Sequence, residues 1–131
     1  VEYFNDISIT KNITIESHLE ECYILMDRTK TQKIVNNLIS NAIKYSNKDS
    51  KIIITLKNTI LYVEDFGIGI PSHEQEEIFK RYKRGQNFEG GFGIGLDIVN
   101  QVCKEYNLKL GLKSILKEGS TFSIDFSSVA R

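Results

Sequence analysis

Apolar and polar residues alternate in several stretches of this chain, which predicts a fold rich in β-strands. The alternating stretches favour β-branched side chains and are bounded by turn-forming residues, as is typical of half-buried strands. They cover residues 13–17, 22–26, 51–56, 60–63, 109–116 and 121–126. Because only residues 57–59 separate the third and fourth stretches, and residues 117–120 the last two, each of these pairs is expected to form a hairpin.

Apolar residues at helical spacing predict two longer helices and a short one. Asp27 or Thr29 is expected to cap the first helix, which ends near Ser46 and buries Ile34, Val35, Leu38, Ile39, Ala42 and Ile43. A short helix follows Pro71, and the last helix buries Leu96, Val99, Val102, Cys103 and Tyr106. This order of elements predicts an α+β fold, a two-layer α/β sandwich with helices on one face of a mixed, mostly antiparallel sheet.

The composition indicates one globular domain without a dominant charge. The 131 residues include 17 basic and 17 acidic side chains, so no overall field attracts nucleic acid or an acidic membrane. Cys22 and Cys103 are expected to be buried thiols of a reducing compartment. No apolar run is long enough to span a bilayer, and the chain does not begin with Met. We therefore expect a fragment in which residues 1–12 are a linker or edge strand and residues 13–131 are the domain.

Three polar residues share one face of the first long helix. Asn37, Asn41 and Lys44 stand at positions i, i+4 and i+7, rotated from the apolar stripe by about 120°. The amide oxygen of Asn41 suits a hard cation such as Mg²⁺, and Lys44 suits a phosphate. A solvated polar edge of the helix is the alternative interpretation.

Two glycine-rich stretches are candidates for nucleotide contact. Asp65 follows a predicted buried strand, where a carboxylate needs hydrogen-bond donors such as an adenine amino group, and Gly67 and Gly69 would let the backbone turn beneath a flat base. A simple turn is the alternative. Residues 90–96 could cradle phosphate at a helix start or form a flexible loop. Neither stretch has the spacing of a Rossmann fingerprint or a P-loop.

The order and spacing of four stretches resemble the catalytic domain of sensor histidine kinases. Residues 37–46 (NLISNAIKYS) resemble the N box, 65–70 (DFGIGI) the G1 box, 78–84 (IFKRYKR) the F box and 91–96 (GFGIGL) the G2 box. Residues 119–122 (GSTF) are similar to the closing strand of the family. The resemblance extends from about residue 13 to residue 126 and implies a Bergerat-type fold that binds ATP and Mg²⁺ beneath a mobile lid.

The resemblance also implies roles for individual residues. Asn41 matches the asparagine that binds Mg²⁺, and Asp65 matches the aspartate that reads adenine. Asn37 stands where ATP-hydrolysing relatives carry a general-base glutamate, so transfer of phosphate to a protein histidine is favoured over hydrolysis. The expected catalytic residues are Asn37, Lys44 and Arg84. Further ATP contacts are expected from Tyr45, Gly67, Gly69, Ile70, Phe79, Tyr82, Gly91, Gly93, Ile94, Gly95, Leu96 and Thr121.

Neither histidine matches the phosphate-accepting motif of the family. His18 and His73 are therefore expected to be exposed structural residues, with the acceptor on a separate helical dimerisation domain of the same protein. The family implies a homodimer when full length, an indirect response-regulator partner, and a cytoplasmic location within a plasma-membrane sensor. No nucleic-acid or direct membrane contact is expected. An ATP-gated interaction module and an anti-sigma-factor type serine kinase are the alternatives.

Overall fold

A computed structural model describes residues 12–75 and 96–131 as a sheet covered on one face by helices. The helices are α1 (Arg28–Tyr45) and α2 (Leu96–Tyr106), with short 3-10 turns at Ser72–Glu74 and Ser127–Val129. The strands are β1 (Thr14–Leu19), β2 (Lys51–Lys57), β3 (Ile60–Asp65), β4 (Lys109–Ile115) and β5 (Gly119–Asp125). Both predicted hairpins and both long helices are confirmed.

The five strands form one mixed sheet in the order β1-β2-β3-β5-β4. Only β1 and β2 pair in parallel, whereas the other three pairs are antiparallel. Alternate residues of the inner strands, including Val63, Phe122 and Ile124, are buried and form the face that packs against the helices. The predicted fold class, a two-layer sandwich with a mostly antiparallel sheet, is confirmed.

Helix α1 supplies the centre of the hydrophobic core. Asp27 caps its start by accepting a hydrogen bond from the Lys30 backbone N–H at 2.9 Å. Ile34 and Leu38 are completely buried, as their helical spacing predicts. The helix ends at Tyr45 because Ser46 adopts an extended backbone, which turns the chain toward β2.

The predicted strand at residues 22–26 is wrong as a member of the sheet. Only Ile24 forms a β-bridge, and its partner is Ala130 near the end of the chain. Tyr23 and Leu25 point outward and are 68% and 67% exposed. Alternation of apolar residues was misleading here because the segment pairs with the last residues of the chain and lies beside the sheet.

Candidate functional site

The end of β3 and the end of α1 meet through the loop of residues 66–70. The Ile68 backbone N–H donates to the Tyr45 carbonyl at 3.4 Å, and Asn47 Nδ2 donates to the Phe66 carbonyl at 3.2 Å. Asp65 is the last residue of β3 and comes directly before this loop. The N-box helix and the aspartate of the G1 box are thus brought to the same end of the domain.

Asn41 is buried in the face of α1 that carries the predicted polar residues. It is 6% exposed, and its Nδ2 donates to the Asn37 carbonyl at 2.8 Å. Oδ1 is the atom of this amide that can act as a cation ligand, because the NH₂ group is only a hydrogen-bond donor. The burial of Asn41 excludes the alternative of a solvated helix edge for this residue.

The other two predicted residues of this face are more exposed than Asn41. Asn37 is half-buried and lines a groove of about 330 Å³ together with other polar residues of α1. Lys44 is exposed, and its Nζ lies 5.8 Å from the centre of the Tyr45 ring. Burial raises the pKa of Tyr45 to about 12, so its hydroxyl stays protonated at neutral pH.

Asp65 is a buried carboxyl group with an unusual pKa. It is 6% exposed, and its Oδ1 accepts a hydrogen bond from the Gly67 backbone N–H at 3.0 Å. Burial raises its pKa from 3.8 to about 6, although hydrogen bonds from the backbone of Gly67 and Ser120 act in the opposite direction. A further donor placed against this carboxylate would favour its ionised form. An amino group of a nucleotide base is such a donor.

The sheet register places Ser120, and not Thr121, on the same face as Asp65. Asp65 pairs with Ser120 across β3 and β5, whereas Thr121 pairs with Glu64 on the opposite face. Ser120 is 5% exposed. Both β5 residues line a pocket of about 270 Å³ that opens beside Asp65. Sequence reasoning missed Ser120, although the alternation of buried residues along β5 would have identified it.

Gly67 and Gly69 are required by close approaches within the protein backbone. A Cβ atom on Gly67 would lie 1.9 Å from the Tyr45 carbonyl oxygen. Gly69 has φ +73°, and a Cβ there would lie 2.3 Å from the Ile115 carbonyl oxygen. Because neither glycine carries a Cβ atom, the loop of residues 66–70 can pack closely against α1 on one side and against β4 on the other.

Several predicted site residues are buried or lie outside the described residues. Ile70 and Leu96 are 1% and 0% exposed and belong to the hydrophobic core. The predicted short helix is described only at its start, as the 3-10 turn Ser72–Glu74. The predicted contacts that fall outside the described residues are Phe79, Tyr82, Arg84, Gly91, Gly93, Ile94 and Gly95.

The histidines agree with their predicted role as exposed residues. The side chain of His18 is 62% exposed and lies 2.6 Å from Glu16, and that of His73 is 78% exposed and lies 3.2 Å from Glu74. Cys103 is buried as expected, whereas Cys22 is only half-buried. Within residues 12–75 and 96–131, neither helix is long and apolar enough to cross a membrane.

The mixed sheet, the helices on one face and the buried Asp65 beside α1 together define a domain of the Bergerat type. Residues 26–129 match the family described as histidine kinase-, DNA gyrase B- and HSP90-like ATPase. The chain belongs to this family.

Individual relatives point to the sensor histidine kinases within that family. The sensor histidine kinase RppB of Synechocystis sp. is 34% identical over 133 residues, which cover 94% of this chain and 29% of RppB. The chain spans less than a third of the length of the curated relatives RppB, YkoH and SaeS. These matches confirm the predicted resemblance.

Two solved structures confirm the fold. Full-length ShkA in complex with AMPPNP matches with a TM-score of 0.85 at 21% identity, covering 99% of this chain and 28% of ShkA. The mycobacterial sensor histidine kinase MprB matches with a TM-score of 0.83 at 23% identity, covering 99% of this chain and 91% of the MprB chain.

Proposed function

We propose that this chain is the ATP-binding catalytic domain of a sensor histidine kinase. It binds ATP with Mg²⁺ and transfers the γ-phosphate to a histidine on a separate domain of the same protein. The observation that carries the proposal is the buried Asp65 carboxyl at the end of β3, joined by its loop to the Tyr45 end of α1. Membership of the ATPase family and the four ordered sequence boxes support it.

In this proposal Asp65 and Ser120 bind the base, and polar residues of α1 bind the phosphates and the metal ion. The ionised Asp65 accepts a hydrogen bond from the adenine amino group. Asn41 Oδ1 would hold Mg²⁺, and the bound ion would supply neutralisation of charge on the phosphate oxygens. Lys44 and Arg84 contact phosphate, and the backbone of Gly93, Gly95 and Leu96 donates to it.

Phosphoryl transfer asks mainly for positioning and charge neutralisation, which fits the polar residues of α1. Asn37 carries no carboxylate that could activate water as a general base. We therefore assign a transferase role in preference to ATP hydrolysis. By the same resemblance, the whole protein is a homodimeric sensor of the plasma membrane whose cytoplasmic part includes this domain, and it signals to a response regulator.

The experiment that tests this function is transfer of labelled phosphate. The chain is mixed with the histidine-bearing helical domain of the same protein, made separately, and with ATP labelled at the γ-phosphate. We expect the label to appear on the helical domain as an acid-labile phosphohistidine. Binding of ATP without transfer would contradict the kinase assignment and would support an ATP-gated interaction module. Phosphoserine on a protein substrate would support the serine-kinase alternative.

The metal assignment is tested by the substitution Asn41→Asp. A carboxylate cannot donate to the Asn37 carbonyl, and it places a negative charge beside the triphosphate. Calorimetry should show that the Mg²⁺-dependent gain in ATP affinity is lost while circular dichroism is unchanged. Asn36→Asp is the matched control, because this substitution adds the same charge at an exposed position of the same helix. Equal ATP affinity in both variants would refute the role of Asn41.

A further inference from the structure

The hydroxyl group of Ser114 connects β4, β5 and the loop that follows Asp65. Its Oγ accepts a hydrogen bond from the Ile70 backbone N–H at 2.8 Å. The same Oγ lies 2.8 Å from Ser120 Oγ and 3.1 Å from the Gly119 carbonyl oxygen, to which it can donate. One serine side chain thus contacts the loop, the first residue of β5 and the residue that faces Asp65.

The backbone N–H and the backbone carbonyl of Ile70 both form hydrogen bonds with side chains near Ser114. Its N–H is bonded to Ser114 Oγ, and its carbonyl accepts a hydrogen bond from Gln75 Nε2 at 2.8 Å. Gln75 Nε2 also lies 3.4 Å from the Ser114 carbonyl oxygen. Ile70 is 1% exposed, whereas Ser114 and Gln75 are half-buried, so both bonds are partly shielded from water. Ser114 thus helps to hold the loop against β4.

Ser120 stands directly opposite Asp65 and is as deeply buried. The two residues pair across β3 and β5, and residues at such positions have Cβ atoms about 5 Å apart. Whether the Ser120 hydroxyl can donate a hydrogen bond to a ligand depends on Ser114, because each serine hydroxyl carries a single proton. When Ser114 donates to Ser120, the Ser120 proton is available to a ligand. When Ser114 donates to Gly119, Ser120 donates to Ser114 and offers only lone pairs.

We propose that Ser114 is a positioning residue for base recognition: its proton goes to Ser120 Oγ, the shorter of its two contacts at 2.8 Å, and not to the Gly119 carbonyl at 3.1 Å, so that the Ser120 hydroxyl is a donor beside the acceptor Asp65. This inference rests on the proposed function. Adenine presents an amino donor next to a ring-nitrogen acceptor, whereas guanine presents a carbonyl acceptor next to an N–H donor. An acceptor carboxylate and a donor hydroxyl in fixed positions match adenine and oppose guanine at both atoms. Ser114 thereby contributes to the preference for ATP over GTP without touching the nucleotide.

The test uses Ser114→Val and Ser114→Thr, which have nearly the same shape and differ in the hydroxyl group. Calorimetry with Mg²⁺ measures the Kd of ATP and of GTP for each variant. We expect Ser114→Val to weaken ATP binding by about tenfold and GTP binding by much less, whereas Ser114→Thr stays within about threefold of the original chain. Ser123→Val is the control, because Ser123 lies on the other face of β5 and should change neither Kd.

A double-mutant cycle with Ser120→Ala separates this role from a general effect on structure. If Ser114 acts through Ser120, then Ser114→Val should cost little further ATP affinity once Ser120 is alanine. Fully additive losses would overturn the proposal, as would an unchanged ratio of the two Kd values in Ser114→Val. Equal losses for ATP and GTP would also overturn it, because they would indicate only a weakened fold.

Two further outcomes are distinguished by the original chain and by Ser120→Ala alone. If Ser114→Val does not fold, Ser120→Ala must still lower the preference for ATP over GTP, and an unchanged preference would refute the inference. If the original chain binds no ATP, both the proposed function and this inference fail. If it binds ATP and transfers phosphate while Ser114→Val and Ser114→Thr behave alike, only this inference fails.

Discussion

Replacing Asp65 with asparagine should stabilise the fold at neutral pH while it weakens ATP binding. The folded-state pKa of about 6, compared with 3.8 for an ordinary aspartate, means that burial disfavours the charged carboxylate. At about 1.4 kcal/mol per pH unit, the difference corresponds to about 3 kcal/mol of unfolding free energy. Asparagine carries no charge and keeps an oxygen that can accept from Gly67.

The pH dependence of this effect follows from the sign of the pKa shift. Below pH 3.8 the carboxyl is protonated in both states and causes no loss of stability; the loss develops as the pH rises and is complete above about 6. Relative to the original chain, the free energy of unfolding of Asp65→Asn should therefore increase by about 2–3 kcal/mol between pH 4 and pH 7. Urea denaturation followed by far-UV circular dichroism measures this, since the chain has no Trp.

Asp125→Asn is the matched control, because the same substitution should have the opposite sign. The Ser127 backbone N–H donates to Asp125 Oδ1 at 2.9 Å and is the main cause that lowers the pKa of this carboxyl. The ionised Asp125 carboxylate stabilises the fold at a pH above the ordinary pKa of aspartate, and this stabilisation is lost as the pH falls. The variant Asp125→Asn lacks the carboxylate, so it should be less stable at pH 7 than the original chain. A difference between Asp65→Asn and the original chain that stays constant from pH 4 to pH 7 would refute the reasoning.

The remaining predictions concern stability and are measured by the same denaturation experiments. Gly67→Ala should cost about 2–3 kcal/mol, because its Cβ would lie 1.9 Å from the Tyr45 carbonyl oxygen, while Gly111→Ala meets only the movable Ser123 hydroxyl and should cost less than about 1 kcal/mol. Similar losses in the two alanine variants would contradict this argument. Asp27→Ala removes the cap that accepts from the first turn of α1 and should cost about 1 kcal/mol; no loss would show that the cap is dispensable.

The helices and hairpins of this fold could be predicted from local patterns. Helix α2 begins and ends within the residues that the apolar spacing indicated, and Asp27 caps α1 as one of two predicted candidates. These features depend on side chains three or four residues apart, which the sequence lists directly. Residues 22–26 show the limit of this reasoning, because their pairing partner near Ala130 is more than 100 residues away.

The candidate site was predictable in its residue types and less so in its geometry. Asn41 and Asp65 were identified from their positions, and both are buried at the end of the domain where α1 and β3 meet. Thr121 was named from the resemblance of residues 119–122 to the closing strand of the family, and both Ser120 and Thr121 line the pocket beside Asp65. Only the register of β5 against β3 decides which of the two faces Asp65.

The sequence by itself determined the class of the fold, the family resemblance and the residues available for chemistry. These depend on periodicity and on the order of short stretches, which no folding event changes. Tertiary structure alone decided that Gly67 lies against the Tyr45 carbonyl, that Ser114 joins Ile70 to Ser120, and that burial alters the acidity of Asp65. Each of these effects acts between groups distant in sequence, and both hydrogen-bond distance and desolvation exist only after the chain has packed.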